Sequence, residues 1–216
     1  MSDFLKNSQT VFCEFDLPSI MQGIAGIWVA IIATIALNTW RRQIKAQKHV
    51  DFLDELTDTV HAFILSMSGP VSSLKFAKIG IDSHSSVHKD TADQKNAGAI
   101  EFIKKKGRST RESIQEQLEP VRPIMIKMKL FAAKGQILKI KNYNKCQNAC
   151  NMLVSLYNQI EAFSSIIGDS NLYWENPEVQ KALEKILTIN SEQIEKNLAD
   201  QNSEYLLFAR EAYQDI

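Results

Sequence analysis

No charged residue interrupts the chain between Ile20 and Trp40, and beyond that point apolar residues recur every three or four positions almost to the C-terminus. The first pattern is the run IMQGIAGIWVAIIATIALNTW, 21 residues long. As a helix it is roughly 31 Å long, enough to cross the hydrocarbon core of a bilayer. Pro18 suits the first turn, where a missing N–H costs nothing, and Asp16 is placed to cap it. The second pattern is that of amphipathic helices.

Ile44, Val50, Leu53, Leu56, Val60, Phe63 and Met67 carry the helical period out of the apolar run as far as Gly69-Pro70. Asp51, Asp54, Glu55 and Asp58 lie opposite as a solvated acidic face. Pro70 opens a segment through Val71, Leu74, Ala77 and Ile81, which fades into a polar stretch at Asp82–Ser86 with the character of a loop. A short helix holds Ala99, Ile100 and Ile103 and stops at Gly107. Ser109 and Glu112 have the spacing of a capping box, opening a helix through Ile114, Leu118 and Val121 that Pro120 and Pro123 kink or divide. The segment Ile124–Ala133 closes at Gly135, and Gln136–Lys141 is the one brief alternating run.

The clearest stripe is Tyr143, Cys146, Cys150, Leu153, Tyr157, Ile160 and Ile167, with Ser164 its polar member and Gly168 its end. Asn176-Pro177 reads as cap and first position of a helix through Val179, Leu183, Ile186, Ile194 and Leu198. A last segment runs from Ser203 to Tyr213. The predicted fold class is all-α: a single transmembrane helix continuing into a helical bundle. The expected division is a short extracytoplasmic N-terminus at 1–17, a transmembrane helix at 18–40 and a cytoplasmic helical domain at 41–216. Eight Gly and five Pro in 216 residues agree with helices rather than sheets.

Charge sets the expected orientation. Lys6 faces Asp3, Glu14 and Asp16 ahead of the apolar run, whereas Arg41, Arg42, Lys45 and Lys48 follow it before any acid. Positive-inside then places the N-terminus outside and the bulk of the chain in the cytoplasm, with Trp40, Arg41 and Arg42 as interface anchors. A cleaved signal peptide would carry its basic residues ahead of the run and a small-residue site behind it, unlike Asn38-Thr39-Trp40. Gly23, Gly26, Ala30 and Ala33 form a row of small residues on one face, the arrangement that lets helices approach closely in lipid, and Gln22 could add a hydrogen bond. The implied partners are the lipid bilayer and a second copy of the chain.

Chemistry is sparse. There is no dinucleotide fingerprint, phosphate loop, nucleophile elbow or H-E-x-x-H, so no catalytic residue, cofactor or metal is expected. Cys13, Cys146 and Cys150 frame neither a disulfide scaffold nor a zinc ribbon, and the last two read as small core residues. His84 and His88, near Asp82, Asp90 and Asp93, could share a divalent metal on a helix, or simply belong to a hydrophilic loop. Arg42 and His49 fit the R-x(4–6)-H pattern of all-helical HEPN-type ribonucleases, although a basic flank already has a topological reason to be there.

Charge is strongly polarised along the chain. Lys104 to Lys145 holds twelve basic residues against Glu112, Glu116 and Glu119, while the remainder to Ile216 holds four against eleven acids. Either the basic helices pack beside the acidic ones, or Lys104, Lys105, Lys106, Arg108, Arg111, Lys127 and Lys129 form a basic surface for anionic headgroups or nucleic acid. Phe131 and Tyr143 are the only aromatics of that segment, too few for a base-stacking platform.

A one-span anchor followed by Trp40-Arg41-Arg42-Gln43 and then Phe52-Leu53-Asp54-Glu55-Leu56 resembles small bacterial inner-membrane proteins of phage-defence loci, including the membrane effectors that accompany retrons. The resemblance covers about the first third of the chain and assigns a role to no residue. It implies a non-enzymatic effector that perturbs the membrane once released from a partner. The alternative is an anchored adaptor or scaffold that docks a cytoplasmic protein or nucleoprotein.

Overall fold

The computed structural model describes residues 17–85 and 92–214. Asp3, Lys6, Cys13, Glu14, Asp16, His88 and Asp90, invoked above for topology, capping or metal binding, lie outside these. The described residues are helical with no strand: α1 (Leu17–Ser66), α2 (Ser68–Ser85), α3 (Ala92–Phe102), a π-helical turn (Ile103–Gly107), α4 (Arg108–Leu118), α5 (Val121–Leu138), α6 (Tyr143–Ile167), α7 (Pro177–Leu187) and α8 (Ser191–Gln214). The chain forms two units, one ending at Gln47 and one beginning at Lys48.

The second unit is a bundle whose helix directions follow from side-chain pairs. Phe52 of α1 packs edge-on against Phe131 of α5, with ring centroids 5.7 Å apart, and lies 6.2 Å from Tyr143 of α6. One turn further along α1, Glu55 pairs with Lys127 at 3.1 Å, so α5 runs against α1. Tyr213 and Tyr205 of α8 reach Asp54 and Thr57 of α1, the Tyr205–Thr57 oxygens lying 2.8 Å apart, so α8 also runs against it. Arg122, at the start of α5, donates to Tyr157 (3.3 Å) and Glu161 (2.9 Å) on α6, whereas Tyr143 donates to the Phe131 carbonyl at 2.7 Å. Thus α1 and α6 ascend while α5 and α8 descend. The ascending path continues from α1 into α2, and the descending one begins at α3.

Breaks in these long paths have local causes. Between α1 and α2 only Met67 leaves the helix, and its N–H still bonds to the Phe63 carbonyl at 3.0 Å. Pro70 follows in the first turn of α2, where no donor is needed. Pro120 and Pro123 sit at the cap and in the first turn of α5, so they divide the path there, as their spacing suggests. Lys139 and Asn142 both adopt the left-handed conformation, with φ of 55° and 56°, and turn α5 back into α6 in four residues. Asn176 caps α7, accepting from Glu178 N–H at 2.9 Å with Pro177 at the first position.

Several sequence expectations are corrected. Gly107 does not stop a helix, nor does Ser109 start one: its hydroxyl donates to the Lys106 carbonyl at 3.0 Å, and Glu112 pairs with Arg108. Gly107 is instead where α4 meets the end of α6, because a Cβ there would strike the Ile167 carbonyl oxygen. Gly135 likewise lies inside α5, where the Tyr143 ring occupies the space of a side chain, and the alternating run 136–141 is helix end and turn. The helix begun at Asn176-Pro177 ends at Leu187. A second cap, Asn190, accepts from Glu192 N–H at 2.8 Å and starts α8, which absorbs Ser203–Tyr213. Asp82–Ser85 continues α2 rather than forming a loop.

The core gathers Leu53, Leu56, Val60 and Phe63 of α1, Leu153, Tyr157, Ile160 and Phe163 of α6 and Tyr205 and Phe208 of α8, all fully buried. Each such side chain contributes about 1.5–3 kcal/mol by leaving water. Gly107→Ala tests the close approach of α4 to α6: backbone cannot yield as a flexible side chain can, so the variant should lose about 1–3 kcal/mol. The measurement is the urea midpoint followed by circular dichroism, and an unchanged midpoint would show that the helices separate freely.

Candidate functional site

The N-terminal unit presents the run Met21–Trp40 entirely exposed. Ile27, Val29, Ile32 and Ile35 each show 60–66 % of their surface, and Trp28 and Trp40 show 61 % and 59 %. Soluble proteins rarely leave so continuous an apolar surface in water. Two of its hydroxyls bond within the helix: Thr34 and Thr39 donate to the Ala30 and Ile35 carbonyls at 2.8 and 2.9 Å. Hydroxyls returned to the i−4 carbonyl need no water. The helix is long and apolar enough to cross a membrane. Gly23 and Gly26 have nothing within 4 Å of the position a Cβ would take, so the row they share with Ala30 and Ala33 is open to a neighbour.

The basic residues singled out by sequence do not form one surface. Lys104, Lys105, Lys106 and Arg108 are exposed beside the far end of α6, where Arg111 fills the space next to Gly168. Helix α6 has 25 residues and is therefore about 37 Å long, which separates this group from the end marked by Tyr143. Lys127 is turned toward Glu55, and Lys129 is exposed on α5. Lys105 and Arg108 pair with Glu101 and Glu112 of their own helical path, at 2.6 and 3.2 Å. Ties from the basic segment to the acidic helices are Arg122–Glu161 at 2.9 Å and Lys145–Glu211 at 3.2 Å, both exposed enough to contribute only ~0–1 kcal/mol each. Glu211 also accepts from Asn142, and the Lys145 and Asn142 donors hold its carboxyl below the ordinary range.

A second basic group emerges only from the fold. Lys134, Lys139, Lys141 and Lys145 gather at the end of the bundle where α5 turns into α6, the end at which Lys48 and Phe52 enter it. Lys134 lies over the Phe52 and Phe131 rings, 5.9 Å from each centroid. The K-I-K-N turn is a local signal for part of this group, but its position beside Lys48 depends on α5 running against α1.

The two described cysteines belong to the core. Cys146 and Cys150 are buried with sulfurs 4.0 Å apart, and contact with Cys150 followed by burial pushes the Cys146 thiol well up. His84 lies 3.0 Å from the Gly80 carbonyl through Nδ1 and packs edge-on against Phe102. No group of three His, Cys, Asp or Glu able to hold a metal occurs among the described residues. Arg42 is exposed in the first unit and His49 half-buried in the second. A groove of about 590 Å³ between α6, α7 and α8 was not foreseen; Ile166, Ile186, Ile189 and Ile194 line it together with the amides of Asn158, Gln159, Gln193 and Asn197.

No family model, curated protein or solved structure matches the chain. Function must therefore be argued from its own surfaces.

Tyrosine ionisation offers a check on the packing at the aromatic end. Burial pushes the Tyr143 and Tyr205 hydroxyls well up, and burial followed by the bond to Asp54 pushes Tyr213 up to about 12. All lie above the ~10 of an unfolded tyrosine. Stability from the neutral forms is thus fully present below pH ~10 and declines as pH rises through the folded values. Tyrosinate absorbance should show Tyr143 and Tyr205 ionising only as helical ellipticity is lost. The late component should shrink in Tyr143→Phe and Tyr205→Phe. Its appearance before unfolding would contradict their burial.

Proposed function

We propose that the chain is a non-enzymatic, membrane-anchored effector of the bacterial inner membrane. In this reading the segment 18–40 spans the bilayer with the N-terminus outside, and the bundle is cytoplasmic. Anchors associate through Gly23, Gly26, Ala30 and Ala33, and that assembly perturbs the membrane when a protein or nucleoprotein partner releases the bundle. The observation that carries it is the wholly exposed apolar helix, whose small-residue row stands open. Ile24, Ile27, Val29, Ile31, Ile32, Ile35 and Leu37 alone favour insertion by roughly 3 kcal/mol on the translocon scale. Trp40, Arg41 and Arg42 fit the cytoplasmic interface. A place in antiviral defence rests on the resemblance described above.

A second reading, an anchored adaptor or scaffold, is favoured by the α6–α7–α8 groove, whose apolar floor and amide rim suit a docked helix. The two readings part on toxicity. Bacteria expressing the whole chain should depolarise and stop growing, whereas a version starting after Trp40 should be harmless. Gly26→Leu should weaken self-association in detergent about tenfold, equivalent to ~1.4 kcal/mol of lost close packing, and relieve the depolarisation. Unchanged toxicity and self-association in Gly26→Leu would refute the assembly mechanism. A harmless whole chain with a partner bound across the groove would favour the adaptor.

A further inference from the structure

We propose that the pocket between α2, the π-helical turn and α4 is a binding site for a nucleoside monophosphate. Every residue that lines it belongs to the second unit, so the site stands or falls independently of the anchor. Its volume is about 470 Å³, within the ~300–1,000 Å³ of small-molecule sites. Phe76 of α2 and Phe102 at the end of α3 give it an aromatic wall. Phe102 is buried close against α2 because position 80 is glycine: a Cβ there would lie 2.8 Å from the ring. Phe76, by contrast, keeps 73 % of its surface exposed. A nucleobase stacks on such a ring whatever its hydrogen-bonding edge, and two rings suit one base rather than a strand.

The polar side of the pocket is cationic, with hydrogen-bonding groups left over. Lys106 lines it from the π-helical turn and His84 from the last turn of α2, and among the described residues no carboxylate does. Glu101 and Glu112, on the same helical path as Lys106, pair with Lys105 and Arg108, whereas Lys106 has no partner among the described residues. His84 donates from Nδ1 to the Gly80 carbonyl at 3.0 Å, which leaves Nε2 for a ligand. The hydroxyls of Ser73 on α2 and Ser113 on α4 also line the pocket and have no partner among the described residues. A phosphate group has oxygens enough for all four of these side chains, whereas a carboxylate has two. A π-helical turn is rare and often marks a functional site, and this one carries Lys106.

The test is calorimetric titration of the full chain in neutral detergent with each of the four ribonucleoside monophosphates, the parent nucleosides and inorganic phosphate. The expected result is one-to-one binding of at least one nucleotide, about tenfold or more tighter than its nucleoside or phosphate alone. Lys106→Gln should weaken that nucleotide about tenfold, as the loss of one charge-assisted hydrogen bond does, and leave the nucleoside unchanged. Phe76→Ala should weaken both. Lys106 and Phe76 are exposed, so neither substitution opens the core, and the urea midpoint verifies this. Lys104→Gln, at an exposed lysine that does not line the pocket, should bind as the wild-type chain does. The proposal is overturned by the absence of heat with all four nucleotides at millimolar concentration, by an equal loss in Lys104→Gln, by phosphate binding as tightly as the nucleotide, or by tighter binding of single-stranded RNA. Each of these outcomes leaves the anchored reading intact, since insertion and toxicity test that separately.

Discussion

Four helices meet at Tyr143. Its ring lies 6.2 Å from Phe52 of α1 and 5.8 Å from Phe208 of α8, and its hydroxyl bonds to the Phe131 carbonyl of α5. Gly135 leaves room for it on α5, where any side chain would collide with the ring. A buried phenol needs both an apolar socket and a hydrogen-bond acceptor, and this combination is met at one register of the four helices. The pairings higher in the bundle, Arg122 with Tyr157 and Thr57 with Tyr205, are consistent with that register.

The two units treat apolar surface in opposite ways. From Lys48 onward, most apolar side chains are gathered into one core, although Leu65, Phe76, Leu130 and Ile137 stay exposed, and the surface charges are joined by ion pairs of small individual worth. In the run Met21–Trp40 nothing is buried, and the hydroxyls are turned back onto the helix. That exposed apolar surface is long enough to cross a membrane. The largest surface features of the described residues are the exposed apolar helix, the α6–α7–α8 groove and the basic ends of the bundle.

Much of this organisation was legible along the chain because the relevant forces are local. The uninterrupted apolar run, the helical period, the Asn176-Pro177 start and the division at Pro120 and Pro123 each depend on neighbours within a turn or two. Local signals mislead where they meet a long-range demand. Gly107 and Gly135 looked like helix ends, since glycine weakens helices, yet each is present so that Ile167 or Tyr143 can approach. Ser109 and Glu112 have capping spacing but lie within a continuous helical path, their side chains engaging the Lys106 carbonyl and Arg108.

By itself, the sequence determined the all-helical class, the apolar helix, its small-residue face and the core role of Cys146 and Cys150, because hydrophobic period and residue size do not depend on what a helix packs against. Only the tertiary structure decided which charges share a surface. Lys104–Lys106 and Lys134–Lys145 belong to one basic segment of the chain, but the descent of α5 against α1 and α6 sends them to opposite ends of the bundle. The same descent brings Lys134 and Lys139, far from Lys48 in sequence, to the end at which the chain enters the bundle. Charge neighbourhood is set by helix direction, and direction is fixed by side chains more than 60 residues apart, such as Phe52 and Phe131.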